Sequence, residues 1–309
     1  MAATELVHLT HEGNFQLDTE AKVVSCRVVR IEETREIEGG NTPPSDDDDD
    51  DVATLSVEII LDVTTMHPRG GGQPSDVGTI SILGHAHHLL ASISDVIIDK
   101  STGVVVHRGI ISIPRKDVPS FALVNDDEDS PSSSFVLPGS TVVVRVNEER
   151  RRLNSECHTA GHVVDAAMSR IDDGCFVPVK GYHFMDGPYV EYCSGAVGGG
   201  IDAKERDAFL VRLKEAFQEL IDDDVPTVIR TLPAEEAKSL CGDRLARNFD
   251  ASDRADAPVR VVTVAGWHSP CGGTHVRSTG ELKGRGWSVR GLRCKKGAVR
   301  VRYGPAEES

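Results

Sequence analysis

The sequence predicts an α+β protein of two domains, a β-barrel-like domain over residues 1–150 followed by an α+β domain over residues 151–309. Three observations carry that prediction. Short β-branched runs broken by Gly, Pro and acidic stretches fill the first half, and helical apolar spacing sets in after about Leu153. The third is length: 309 residues exceed one average domain and suit two, each able to bury its own core.

Within the first half, strands are expected over 23–31, 54–63, 78–83, 104–113 and 141–146. Two acidic insertions interrupt them, near 38–52 and 125–134; like charges in such runs repel one another and favour solvated disorder. In the second half, residues 158–170 and 203–221 have helical spacing, and 225–231, 259–264 and 287–292 read as strands.

Composition excludes several classes. Hydrophobic content of 39% and charged content of 27% are those of a soluble globular protein. No apolar run approaches the roughly 20 residues that cross a bilayer, so no membrane partner is expected. The N-terminal residues lack a basic stretch followed by an apolar core, which argues against a secretory signal. Seven scattered cysteines, odd in number and without a CxxC pair, point to reduced thiols in the cytoplasm.

The net charge of −15 speaks at first against a nucleic-acid partner, but the acids concentrate in the two insertions. Cations collect at Arg150–Arg152 and in the C-terminal segment, at Lys283, Arg285, Arg290, Arg293, Lys295, Lys296, Arg300 and Arg302. That patch suits phosphates, or else is the solvated face of a strand pair.

His158 and His162 stand four apart, which on a helix places both imidazoles on one face. Alone the pair is weak, since 12 histidines in 309 residues supply such spacing by chance in about every second protein of this size. The Cys271-Gly-Gly-Thr-His275 stretch, after Pro270, adds a thiol and an imidazole on a tight loop. Three imidazoles and one thiolate form a set that suits a single zinc ion better than magnesium or calcium. No catalytic group stands out beyond these four ligands; Glu156 lies two residues before His158, which is not an HExxH arrangement.

Taken together, these segments resemble a known family. His158–His162 and Cys271–Val276, with Ser278–Leu282 after them, are similar to the HxxxH…CxxxH signature of the alanyl-tRNA synthetase editing domain. Leu61–Thr64 followed by Pro68–Gly78 resembles the glycine-rich motif of the freestanding, AlaX-type alanyl-tRNA editing proteins, and Lys295–Gly297 leading to Val301–Tyr303 fits that family's closing strand. Met66 and His67 stand where members usually have two aromatics, and the insertion near 38–52 is foreign to the compact pattern.

The resemblance implies a zinc-dependent trans-editing hydrolase in translation fidelity. It would cleave the ester that joins serine or glycine to a mischarged alanine-accepting tRNA. The same motifs also suit a non-catalytic tRNA-binding module with a structural zinc. By position in the motif, Thr64 is the candidate that hydrogen-bonds a seryl hydroxyl, unless it is an ordinary strand threonine. Gly71 and Gly72 are expected to let backbone amides approach a ligand closely, with Gln73 holding the terminal adenosine or a water, unless the glycines only form a tight crossing between strands. The aromatic cluster from Tyr182 to Tyr189 either stacks an adenine or forms a hairpin with core aromatics.

Overall fold

The computed structural model describes residues 2–32, 52–82, 89–114, 136–171, 176–194, 201–242, 257–295 and 297–307. The predicted insertion at 125–134, and residues 38–51 of the other, lie outside the described residues. The chain divides into two compact units: residues 1–7, 16–69 and 75–147 in the first, and 8–15, 70–74 and 148–309 in the second.

The first unit contains β1 (Glu5–Leu6), β2 (Asp18–Glu32), β3 (Val52–Leu61), β4 (Val63–Thr64), β5 (Gly78–Ile82), β6 (Leu89–Ile98), β7 (Val105–Pro114) and β8 (Thr141–Val146). Six of these close a barrel in the order β2-β3-β7-β6-β5-β8, while β1 pairs in parallel with β4. Closure satisfies every edge, because β8 pairs with both β2 and β5. On β3 the side chains alternate, and Leu55, Val57, Ile59 and Leu61 point inward to meet Ile80, Ile93, Ile111, Val142 and Val144. The sequence did not reveal β6 as a strand. A register shift between Ile93 and Asp95 flips the inward parity, so Ala91, Ile93 and Val96 are buried without a constant period of two.

The second unit is built around α1 (Glu148–Ile171). Beside it lie β9 (Phe176–Tyr182), β10 (Tyr189–Ser194), α2 (Arg206–Asp222), β11 (Val228–Leu232), α3 (Ala234–Cys241), β12 (Val259–Val264), β13 (Trp267–Pro270), β14 (Ser288–Lys295) and β15 (Ala298–Gly304). Two antiparallel sheets result, ordered β14-β15-β10-β9 and β11-β12-β13. α1 starts ten residues before the expected 158, because its first turns are charged and carry no apolar rhythm; Glu148 and Glu149 there complement the helix dipole. Ala160, Val163, Val164 and Ala167 of α1 pack with Leu213, Phe217 and Leu220 of α2 and with Trp287, Val299 and Val301. Each large apolar side chain so buried stabilises the unit by about 1.5–3 kcal/mol.

No helix of the described residues is long and apolar enough to cross a membrane. None of the described cysteines is in a disulfide.

A histidine is buried in the barrel interior. The His107 ring is fully buried, its Nδ1–H donates to the Ile59 carbonyl at 3.0 Å, and its Nε2 lies 2.9 Å from Thr64 Oγ1. Burial lowers its pKa to about 4, against the outward pull of the Ile59 hydrogen bond. Between about pH 6.5 and 4 the unfolded chain therefore binds a proton that the folded barrel refuses, and stability falls as pH falls through that window. We expect denaturant unfolding of wild type to lose stability over this range by an extra few kcal/mol, on the order of 3 for one proton shifted by this much, relative to His107→Gln. Parallel pH profiles of the two proteins would contradict the assignment.

Candidate metal centre

The four residues singled out by spacing converge in the second unit. One nitrogen each from His158, His162 and His275 and the sulfur of Cys271 all lie within 4.8 Å of one another. The Cys271 sulfur is 3.5 Å from His158 Nε2 and 3.3 Å from His275 Nε2. A tetrahedral ion with metal–ligand bonds of about 2.0–2.3 Å holds its donors roughly 3.3–3.6 Å apart, the range of the two sulfur–nitrogen distances. His162 Nε2 is buried with no hydrogen-bond partner and faces the other three donors.

Each imidazole is tied back through its other nitrogen. His158 Nδ1–H donates to Gln73 Oε1 at 2.7 Å, His162 Nδ1–H to Asp165 Oδ2 at 3.2 Å, and His275 Nδ1–H to Thr159 Oγ1 at 3.1 Å. The Gln73 and Asp165 oxygens can only accept, so they fix the proton on Nδ1 of His158 and His162 and turn Nε2 toward the centre; the Thr159 hydroxyl orients the His275 ring. The anchors are themselves anchored. Tyr192 donates its hydroxyl to Asp165 Oδ1 at 2.7 Å, and Thr159 Oγ1 accepts the Val276 N–H at 3.2 Å. Gln73 Oε1 also accepts the Thr274 N–H at 3.0 Å, while its Nε2 donates to Thr274 Oγ1 at 2.9 Å; the two contacts fix which end of the amide is which.

Local sequence explains how these groups meet. α1 delivers His158 and His162 from one face, with Ser155 and Thr159 beside them; Ser155 donates to Thr274 Oγ1 at 2.8 Å. The loop after β13 brings Cys271 and His275, and Asn14 clamps it with two bonds to His275, Nδ2 to its carbonyl at 2.8 Å and its N–H to Oδ1 at 3.0 Å. A Cβ on Gly273 would overlap the His158 ring, so the loop requires glycine there. In the glycine-rich motif, Gly70 and Gln73 exchange backbone hydrogen bonds, and Gly71 and Gly72 take φ of +57° and +79°. Two successive left-handed residues make a tight turn, and that turn delivers Gln73 to His158.

Electrostatics favour a charged cluster. Burial opposes ionisation of Cys271, yet the neighbouring His162, the Arg260 guanidinium and the Gly273 N–H together hold its thiol below the ordinary value. Burial likewise opposes a charge on His162, but Asp165 and the Cys271 sulfur raise its pKa to about 10. The two shifts run in the directions that favour each other's charged form, and metal binding to such a pair releases any proton it carries.

His183 completes the surroundings. It stacks on His158 with ring centroids 4.2 Å apart, and the Tyr303 hydroxyl lies 2.6 Å from its Nδ1. Burial, and then the charge on His162, depress its pKa to about 3, so the ring is neutral. Two residues next to His158 have other roles. Cys157 is buried, with its thiol pushed up to about 12 by burial. The Glu156 carboxylate receives Arg152 Nε at 3.0 Å, Trp287 Nε1 at 3.0 Å and Arg285 Nε at 3.2 Å, and acts as an internal anchor.

Thr64 belongs to the barrel unit, as do Met66 and His67. Because His107 Nδ1 carries the ring proton, Nε2 accepts, and Thr64 donates its hydroxyl there while accepting the Met66 N–H at 3.2 Å. Met66 is part of the barrel core. Of the functional groups missed by sequence reading, Asp165 could have been found at three residues from His162, whereas Asn14 carries no such local signal; His183 lies within the aromatic cluster from Tyr182 to Tyr189.

Comparison with known proteins bears out the resemblance. Residues 259–285, which hold Cys271 and His275, match the family model described as threonyl and alanyl tRNA synthetase second additional domain. The chain is 26% identical over 230 residues to the alanyl-tRNA editing protein AlaX-L of Pyrococcus horikoshii, covering 73% of this chain and 46% of that one. It is 28% identical over 251 residues to the alanine–tRNA ligase of Methanopyrus kandleri, covering 81% of this chain and 23% of the ligase. Against the ligase of Methanococcoides burtonii it is 25% identical over 292 residues, 94% of this chain and 28% of the ligase. The matched region thus spans less than half the length of each of these relatives.

The tie between Gln73 and His158 gives a measurable expectation. Gln73→Ala should weaken divalent-metal affinity about 10–100-fold in a chelator competition, with the far-ultraviolet circular dichroism unchanged. Unchanged affinity would show that the Gln73 contact does not prepare His158 as a donor.

Proposed function

We propose that this chain is a cytoplasmic trans-editing hydrolase that removes serine or glycine from mischarged alanine tRNA by cleaving the aminoacyl ester. One zinc ion, held by His158, His162, Cys271 and His275, is its cofactor. The observation that supports this most is the convergence of those four donors, each histidine presenting Nε2, on the very motifs that resemble alanyl-tRNA editing proteins. The thiolate-plus-imidazole donor set favours zinc over hard cations that prefer oxygen.

The reaction needs little from the protein beyond placement and polarisation. Water adds to the ester carbonyl carbon, the bond to the ribose oxygen breaks, and that oxygen takes up a proton, giving a free amino acid and an uncharged tRNA. Zinc, when bound, supplies a Lewis acid at such a carbonyl or water. Gln73, Asp165 and Thr159 hold the histidines in register, and Arg260 beside Cys271 favours its thiolate. With the Gln73 amide occupied by His158 and Thr274, contact with the terminal adenosine falls to the backbone of Gly71 and Gly72.

Such a second sieve is required because a pocket made for alanine admits glycine and cannot strongly reject one added hydroxyl. Thr64 is our candidate for recognising serine. Its proton goes to His107, and its oxygen, which already receives the Met66 N–H, keeps one lone pair that a seryl hydroxyl satisfies and an alanyl methyl does not.

The test is deacylation of serine-, glycine- and alanine-charged alanine tRNA by purified protein. We expect serine or glycine to be lost and alanine retained, activity to vanish on zinc removal and return on zinc addition, and Cys271→Ser to lower the rate at least about 100-fold. Persistence of the seryl ester with folded, zinc-loaded protein would leave the other reading, a tRNA-binding module in which four ligands close a structural site.

A further inference from the structure

The outer face of the sheet β14-β15-β10-β9 combines cations and aromatic rings that the metal centre does not use. Register places their side chains together. Arg293 on β14 lies opposite Arg300 on β15, Arg300 opposite Glu191 on β10, and Glu191 opposite Lys180 on β9. The neighbouring row runs from Arg302 through Tyr189 to Tyr182, and Lys295 extends the first row along β14. The opposite face is apolar: Val190, Tyr192, Val299, Val301 and Tyr303 are buried in the core of the unit. Lys180, Arg293, Lys295 and Arg302 are exposed, and the only acid in these rows, Glu191, is paired with Arg300 at 2.6 Å. In a chain of net charge −15, a sheet face this rich in cations is a local reversal of sign.

The rings on this face form a column. The Arg300 guanidinium lies 4.0 Å from the Tyr189 ring centre, Tyr189 stacks on Tyr182 at 5.4 Å, and Tyr182 on Phe184 at 4.7 Å, with interplanar angles of 21° and 20°. All three rings are only partly buried. A core hairpin would have hidden them. Phe184 ends the column, and the residue between it and Tyr182 is His183, whose ring turns the other way to stack on His158 at 4.2 Å. The stack therefore ends one residue from a side chain that touches the metal centre.

We propose that this face binds an unpaired RNA strand, its phosphates on Lys180, Arg293, Lys295 and Arg302 and a base continuing the stack on Phe184. Base stacking on aromatic faces needs an unstacked, single strand, whereas a duplex could offer only phosphates. On the editing reading, the strand is the single-stranded 3′ end of the tRNA; the binding surface itself does not depend on that reading.

The direct test is fluorescence anisotropy with a labelled single-stranded RNA of about eight nucleotides, a length suited to such surfaces, bearing an unesterified 3′ end. Metal content and thermal unfolding serve as controls for folding. The combined variant Arg293→Glu, Lys295→Glu, Arg302→Glu should weaken binding at least about tenfold and reduce the salt slope by about 2, at roughly 0.7 per phosphate contact. Phe184→Ala should weaken it about 5–150-fold with the salt slope unchanged. Equal affinity for the matching duplex, or for a polyglutamate competitor, would overturn the proposal, as would unaltered binding by folded variants. Deacylation separates this from the editing reading. Binding as described without ester cleavage upholds the surface and removes the hydrolase. Cleavage in which the charge variants keep the KM of wild type upholds the hydrolase and removes the surface.

Discussion

Three imidazoles can share one ion only if each gives up the freedom of its second nitrogen, and that constraint organises the second unit. An unrestrained neutral histidine exchanges its proton between two positions, and all but one of the combinations of three rings would aim at least one N–H where a lone pair is needed. Here a carboxamide, a carboxylate and a hydroxyl each take one Nδ1–H. The three acceptors come from the glycine-rich turn and from α1 itself, so the turn at Gly71 and Gly72 and the helix face are parts of one device. The cysteine follows from the same arrangement, since its low-lying thiol pKa depends on the neighbouring His162 and Arg260 charges.

Burial is what makes the device rigid. α1 is enclosed on nearly all sides, which is unusual for a helix carrying so many polar residues, and several of these have a fixed protein partner in place of water. Glu156 holds Arg152, Trp287 and Arg285; Ser155 and Gln73 both hold Thr274; Asn14 grips the backbone of His275 at both its polar groups. The apolar side of the helix then fixes its height and rotation against α2 and the four-stranded sheet. A ligand set assembled from segments so distant in sequence needs this support, because a loop alone would not hold Cys271 and His275 within hydrogen-bonding distance of a helix.

Much of this was legible from residue order. The barrel was readable because β3 and β8 keep strict alternation, and β6 was not because its bulge shifts the parity midway. The spacing of His158 and His162 identified one face of a helix whose start was obscured by charge. The ligand pairs were readable because each lies within a few residues. What holds them was hidden by long-range contact: Gln73 reaches across 85 residues to His158, and Asn14 across 261 to His275. The aromatic cluster after Gly181 was seen, but its division of labour, with His183 turned inward and Tyr182 and Phe184 stacked on the outer face, follows only from the pleat of the hairpin.

The central claim is that these four side chains hold a single zinc ion through one sulfur and three imidazole nitrogens. X-ray absorption spectroscopy of the purified chain tests it most directly. The account predicts one zinc per chain, with one sulfur at about 2.3 Å and three nitrogens at about 2.0 Å, and loss of the sulfur shell in Cys271→Ser. A chain that binds no zinc when folded, or a zinc surrounded only by oxygen and nitrogen in the wild type, would contradict it.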